Sequence, residues 1–237
     1  MACILNIETS TPVCSVALSS AGEILFEKAS LEGPSHAVLA GVYVEEALTV
    51  LKQKNLSLEA VAVSSGPGSY TGLRIGVSVA KGICFGYGIP LIGIRTLDVL
   101  ASSAIRRTGE RSDSLYCAML DARRMEVYAA IYRSDLVTVR ETSADIVTSE
   151  TYASYLEKGN VCFFGNGAAK CKTVIQSPNA LFLDEIHPLA VEMVPLSERA
   201  YEAGRFEDVA YFEPFYLKEF QATIAKNKVL NEALKGK

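Results

Sequence analysis

The sequence has little material for a transition-metal site. Its 237 residues include two histidines, His36 and His187, and six cysteines, none in a CxxC pair. Zinc motifs need close-set thiolates and imidazoles, and these spacings supply neither. Most of the cysteines (3, 14, 84, 117, 162 and 171) lie inside apolar, strand-like runs. They read as buried, reduced thiols of a cytosolic protein. Nowhere do four Lys or Arg follow one another, the net charge is −4 and the sequence pI is about 5.4. A chain that grips nucleic acid unaided concentrates positive charge on one face, so direct binding is not expected. The opening MACILNIETS reaches Glu8 without a basic start, unlike a secretory leader. The most apolar stretch, GICFGYGIPLIGI from Gly82, is too short and too rich in Gly and Pro to span a bilayer. The expectation is a cytoplasmic protein with no membrane partner.

Complete catalytic motifs are also missing. The Gly-rich segment SSGPGSYTGLRIG invites a phosphate-loop reading, but Gly66 to Gly72 is one residue too long and Leu-Arg follows where Lys-Ser/Thr is needed. A dinucleotide fingerprint fails at its third glycine, where Thr71 stands. A nucleophile elbow around Ser69 fails because position 67 is Pro. What remains is a turn of Gly66, Gly68, Ser69 and Thr71 that launches a helix, with Ser69 or Thr71 capping its free N–H groups.

The content that is present can fill a core, since 49% of the residues are hydrophobic. ACILNI at 2–7 is a buried strand, CSVAL at 14–18 alternates, and EILFEK at 23–28 follows across SSAG as a hairpin. A helical pattern runs from Ser35 to about Lys54. After it come the strand LEAVAVSS, the Gly-rich turn, a helix at about 69–86 and the strand PLIGI. The order β-β-β-α-β-α-β then repeats. LYCAML, VYAAIY and LVTVR are strands, SETYASYLEKG a helix, VCFFG a strand, AAKCKTVI a helix and LFL a strand, before a long helix at 188–204. Even the Gly turn recurs, as FGNGAAK at 164–170. A seven-element order that occurs twice predicts a duplicated ribonuclease-H-like, actin-like α/β fold in two lobes. The lobes are expected at 1–108 and 109–210, with 211–237 packing back on the first lobe and ending in a charged tail.

Two helices carry more apolar surface than one sheet needs. AVLAGVYV at 37–44 is apolar on every side, whereas a surface helix ordinarily shows one stripe. In the second helix, Gly72, Gly76 and Ala80 lie four apart, and each interior Gly costs up to ~1 kcal/mol against Ala. Such a stripe persists where another backbone comes close. Surplus apolar surface marks a protein interface, and its expected residues are His36, Leu39, Ala40 and Tyr43 with Gly72, Ile75, Gly76 and Val79.

Polar candidates are few. Glu8 ends the first strand, where an actin-like ATPase keeps a carboxylate for metal-bound water, with Thr9–Thr11 placed to meet phosphate; strand-end turn chemistry is the favoured reading. In DARRME, Arg123 or Arg124 either closes on Asp121 or faces the interlobe cleft. His187 precedes Pro188 at a helix entry and reads as structural. No catalytic residue, cofactor or metal ligand is expected.

Several segments carry a resemblance: LNIETST, CSVAL, SHAVL, SSGPGSYTGLRIGVSVAKG, DARRMEVY and PFYLK. Over about residues 2–220 the chain resembles the TsaB (YeaZ) family. The resemblance implies a duplicated actin-like fold and a non-catalytic partner of TsaD, the subunit that makes threonylcarbamoyladenosine beside the anticodon of tRNAs reading codons that begin with A. It further implies pairing with TsaD, or with a second copy, through the first two helices of the N-lobe. The P-loop ATPase TsaE joins, and tRNA is reached through the complex. TsaD itself carries His-x-x-x-His on its first helix; here His36 is followed four residues on by Ala40, so that ligand pair is broken. After the histidine the sequence also departs from the family's more usual leucine-proline pairing. The competing function is an autonomous actin-fold ATPase or small-molecule kinase.

Overall fold

The computed structural model describes residues 2–31, 36–109 and 113–217. Two five-stranded mixed sheets form its framework. The first is ordered β3-β2-β1-β4-β5, from β1 (Cys3–Glu8), β2 (Cys14–Ser20), β3 (Glu23–Ser30), β4 (Ala60–Gly66) and β5 (Leu91–Arg95). The second is ordered β10-β9-β6-β7-β8, from β6 (Ser114–Asp121), β7 (Glu126–Tyr132), β8 (Thr138–Ile146), β9 (Asn160–Phe164) and β10 (Ala180–Leu183). In both, the first three strands pair antiparallel and the last two join parallel to the first. Matched strand for strand, the sheets are one ribonuclease-H-like topology used twice.

The hairpin between β2 and β3 turns through Ala21 and Gly22, both at positive φ, the backbone of a two-residue turn that suits strand twist. β1 is buried on both faces, as its unbroken apolar run requires. Cys3, Leu5 and Ile7 join the core beneath α1 (His36–Gln53) and α2 (Tyr70–Tyr87). Ile4 joins Met193 and Ala200 of α6 (Ala190–Glu202) on the other face, and alternation places Asn6 and Glu8 on that side.

Sequence periodicity missed α3 (Thr96–Thr108), whose Leu97, Leu100, Ala101 and Ala104 pack under the second sheet with Tyr116 and Phe164. The first half thus sends α3 to the second sheet, while α6 of the second half covers the first. Where the two helices meet, Arg106 holds the buried carboxylate of Glu192, with Nε at 2.8 and 3.0 Å from its oxygens. Other boundaries also need correction. The helices expected at 149–159 and 168–175 are single turns, α4 (Ala153–Leu156) and α5 (Ala168–Cys171). The strand expected at 136–140 begins at Thr138, because Leu136 sits in a turn at φ 62°. The first helix is described from His36; Ser35 lies outside the described residues, as does the charged tail. All six cysteines are buried free thiols. Burial pushes Cys3, Cys14 and Cys84 up to about 11, too high for reactive thiolates. Among the described residues no helix is long and apolar enough to cross a membrane.

Candidate functional site

The Gly-rich turn between β4 and α2 points its donors inward. Ser69 is the N-cap of α2, and its side-chain oxygen accepts from the Gly72 N–H at 3.3 Å. The Leu73 N–H donates to the Ser69 carbonyl at 2.8 Å and the Ser69 N–H to the Ser10 carbonyl at 2.6 Å. Thr71 is exposed in the first helical turn, so Ser69 carries the cap. These three donors are turned onto Ser69 and Ser10 of the chain itself. Gly66, at φ +107°, lies under the carbonyl of Phe215, and Gly68 lies against Ser10.

The small-residue stripe on α2 also faces inward, which corrects the interface expected from sequence. A Cβ on Gly72 would overlap the Thr9 carbonyl oxygen, and one on Gly76 would overlap the Thr9 hydroxyl. The backbone that approaches this helix belongs to the protein's own loop after β1. Thr9 Oγ1 donates to the Gly72 carbonyl at 2.8 Å and fixes the contact. On α1, Ala40 and Tyr43 are buried at 1% and 7% exposure, and Leu39 packs against the same core. Gly72, Gly76, Ala40 and Tyr43 are therefore core residues, closed to a partner. His36 is half-buried, with Nε2 3.2 Å from the Val13 carbonyl.

Leu39, Ile75 and Val79 pack against that core and stay partly exposed. Ile75 and Val79 line an open groove of about 460 Å³, together with Ala37, Tyr70, Thr71, Arg74 and Ser78. Beside it, Val38 and Val42 are exposed at 68% and 42%. Sequence reasoning overlooked these outer residues, although their signal was available. Val38, Val42 and Glu45 follow helical spacing out of phase with Ala40, Tyr43, Val44 and Ala47, which point inward. Further along α2 the outer row continues through Gly82, Phe85 and Gly86, with Phe85 87% exposed.

Glu8 is fully buried at the end of β1. One carboxylate oxygen accepts from the Ser10 N–H at 2.5 Å; the other has no hydrogen-bond partner among the described residues. Burial pushes its pKa from 4.5 to about 7, while Ser10, Ser64 and the Thr9 N–H draw it partly back. The Ser10 and Ser64 hydroxyls lie near enough to do this without meeting the geometry of a formed bond.

The second-sheet equivalent is Asp121 at the end of β6, exposed and ion-paired with Lys170. Of the two alternatives for Arg123 and Arg124, closing on Asp121 or facing the interlobe cleft, the first is not what Asp121's side chain does. Both arginines sit at positive φ, 68° and 48°, at the exposed hairpin tip, and only the Arg123 backbone N–H reaches Asp121, at 3.2 Å. His187 lines a smaller cavity of about 170 Å³ with Asn166, Lys172, Phe182 and Asp184. Among the described residues no three His, Cys, Asp or Glu side chains converge to hold a metal.

Comparison with known proteins agrees with this architecture. The family model described as TsaD: tRNA N6-adenosine threonylcarbamoyltransferase matches residues 29–226. The tRNA threonylcarbamoyladenosine biosynthesis protein TsaB of Escherichia coli is 31% identical over 224 residues, 91% of this chain and 94% of that protein. Its Haemophilus influenzae counterpart is 30% identical over 91% of this chain and 93% of its own length. The solved structure of YeaZ from Pseudomonas aeruginosa, 25% identical, matches with a TM-score of 0.76 over 92% of this chain and all of that one. With its paired sheets, its Gly turn folded onto Thr9 and these relatives along nearly its whole length, the chain belongs to the TsaB (YeaZ) family.

Proposed function

We propose that the chain is a non-catalytic scaffold subunit in the synthesis of tRNA threonylcarbamoyladenosine. In this reading it docks TsaD through the outer face of α1 and α2, TsaE joins the pair, and tRNA is reached through the assembly. In TsaD's absence the same face pairs two copies of the chain. The observation that carries the proposal is the groove itself. Ile75 and Val79 line it, Val38 and Val42 stand exposed beside it, and the inward rows of both helices already cover their sheet. Apolar surface in excess of what a fold must bury is characteristic of an interaction site. The names of the relatives supply the pathway. Glu8 supports the same side: the carboxylate an actin-fold ATPase would turn toward nucleotide is sealed from solvent.

The test is a Val38→Asp/Val42→Asp variant, both positions exposed, titrated with TsaD by calorimetry. Burying two carboxylates at the docking surface should weaken binding roughly 100-fold or more and leave the melting temperature nearly unchanged. Modification of tRNA by TsaD and TsaE, supplied with ATP and threonylcarbamoyl-adenylate, should fall in parallel. Undiminished TsaD affinity would place the interface elsewhere. Sustained ATP turnover by the purified chain alone would favour the autonomous enzyme.

A further inference from the structure

The buried end of β1 is joined to the wall of the groove. Glu8 accepts from the Ser10 N–H at 2.5 Å, and the Ser10 carbonyl accepts from the N–H of Ser69, the cap of α2, at 2.6 Å. Between them Thr9 Oγ1 donates to the Gly72 carbonyl at 2.8 Å. These contacts have no slack. A Cβ at Gly68 would overlap Ser10, and one at Gly72 or Gly76 would overlap Thr9. Segments packed this closely shift together, so the loop at 9–10 carries the first turns of α2 with it. Those turns hold Tyr70, Thr71, Arg74 and Ile75, which line the groove.

Glu8 is the group in this contact whose charge can change. Across β2 it meets Ser15, with Cys14 beside it, and from β4 it meets Ser64. The α6 carboxylates are engaged elsewhere, Glu192 by Arg106 and Glu198 by the Gly22 N–H. On α1, His36 lies against the Val13 carbonyl. Among the described residues no cation pairs with Glu8, and its second carboxylate oxygen and the Ser10 and Ser64 hydroxyls have no hydrogen-bond partner. Such a site suits the neutral acid, which needs no counter-charge. An unpaired carboxylate buried there is costly, and movement toward water relieves it. Burial holds the proton on Glu8 up to about pH 7.

We infer that loss of the Glu8 proton displaces the Thr9–Ser10 loop and, through it, the first turns of α2, so that this face docks its partner in a proton-linked manner. The link to docking rests on the function proposed above; the displacement does not. The first experiment follows the isoleucine methyl signals of the purified chain by NMR from about pH 5.5 to about pH 8.5. The Ile75 methyls should titrate together with the Glu8 carboxyl, and Glu8→Gln should abolish the response. His36→Gln should retain it, which separates the carboxyl from the imidazole on α1. Thr9→Val cuts the bond to Gly72 but leaves the carboxyl in place; Glu8 should still titrate while the Ile75 response shrinks. Ile75 methyls indifferent to the Glu8 titration, or a response that survives Glu8→Gln, would overturn the inference.

The second experiment titrates TsaD into wild type and Glu8→Gln at about pH 6 and about pH 8. The ratio of the two affinities at each pH cancels the titrating groups of TsaD itself. Between these values wild type should weaken roughly tenfold relative to Glu8→Gln, because its protonated, docking-competent fraction falls by that factor. An Ile75 response with a constant affinity ratio would uphold the displacement and overturn its link to docking. If neither protein bound TsaD at either pH, the proposed function would fall, and the Ile75 response would still decide the displacement.

Discussion

Between β3 and β5 the first half of the chain carries two helices of 18 residues each; between β8 and β10 the second half carries two of 4. Both sheets have five strands in the same order, so comparable surfaces need covering. In the second half Tyr152, Leu156, Ala168, Cys171 and Ile175, on or beside the short turns, suffice. In the first half the inward rows from Ala40 to Leu51 and from Val77 to Cys84 do the same work, and a complete outer surface is left over. The contrast shows that α1 and α2 are longer than their own sheet requires. The ends of the central strands differ in parallel: Glu8 is sealed and half unpartnered, while Asp121 stands in water against Lys170.

The sharpest way to break this comparison is to exchange an inner and an outer glycine of α2. Gly76→Leu forces a side chain into Thr9 and Val63 and should cost about 3 kcal/mol or more, since a packed loop and sheet cannot yield that far. A Cβ at Gly82 meets no atom within 4 Å, so Gly82→Ala should leave stability unchanged or raise it by up to about 1 kcal/mol through helix propensity. Urea midpoints at constant m-value measure both. If Gly76→Leu unfolds like wild type and only partner binding suffers, the inner stripe is an interface after all and the division of α2 into two faces is wrong.

Much of that division was legible in the sequence, but its sign was not. Alternation and punctuation locate both hairpins, the two long helices and the repeated order of elements, because those patterns follow from which face must be buried. Periodicity also identifies α1 and α2 as over-apolar. It does not say which backbone approaches Gly72 and Gly76, because the approach of Thr9 is a contact between segments more than sixty residues apart. Helix α3 escaped notice for a related reason. In TLDVLASSAIRRT the small polar Ser102 and Ser103 blur the apolar stripe, yet both are buried once α3 crosses to the other sheet. The brevity of α4 and α5 was hidden too, since SETYASYLEKG and AAKCKTVI have respectable helical composition and only tertiary packing stops them after one turn.

A second experiment compares the two strand-end carboxylates. Unfolded, Glu8 titrates near 4.5; folded, it titrates at about 7. Between those values the folded protein retains a proton that the unfolded chain has released. Stability is therefore fully present below pH 4.5 and is lost as pH rises toward and through 7, by roughly 3 kcal/mol in all. Glu8→Gln should remove that slope and be more stable than wild type at about pH 8. Asp121→Asn, which alters an exposed ion pair, should change stability by less than about 1 kcal/mol. Urea unfolding of the three proteins from about pH 5 to about pH 8 decides the matter. A wild-type profile that is flat or rises across this window would show that Glu8 is not held as the structure places it.

The smallest expected effect concerns how each half starts the element after its Gly turn. Helix α2 begins at Ser69, whose hydroxyl oxygen accepts from Gly72; α5 begins at Gly167, with no side-chain cap. Replacing Ser69 by Ala leaves the Gly72 N–H without that acceptor and should cost about 1 kcal/mol. Thr71→Ala changes an exposed residue that holds no cap and should lie within about 0.5 kcal/mol of wild type. Hydrogen exchange adds a local readout, because a weakened cap frays only the first turn of a helix whose far end is held by Val77, Ala80 and Cys84. Protection should fall at Gly72 and Leu73 and persist from Val77 onward. Uniform loss of protection along α2 would instead mean that the Gly turn supports the helix as a whole through the Thr9 loop. Tight nucleotide binding abolished by Ser69→Ala, with the helix still protected, would turn the cap back into a phosphate site.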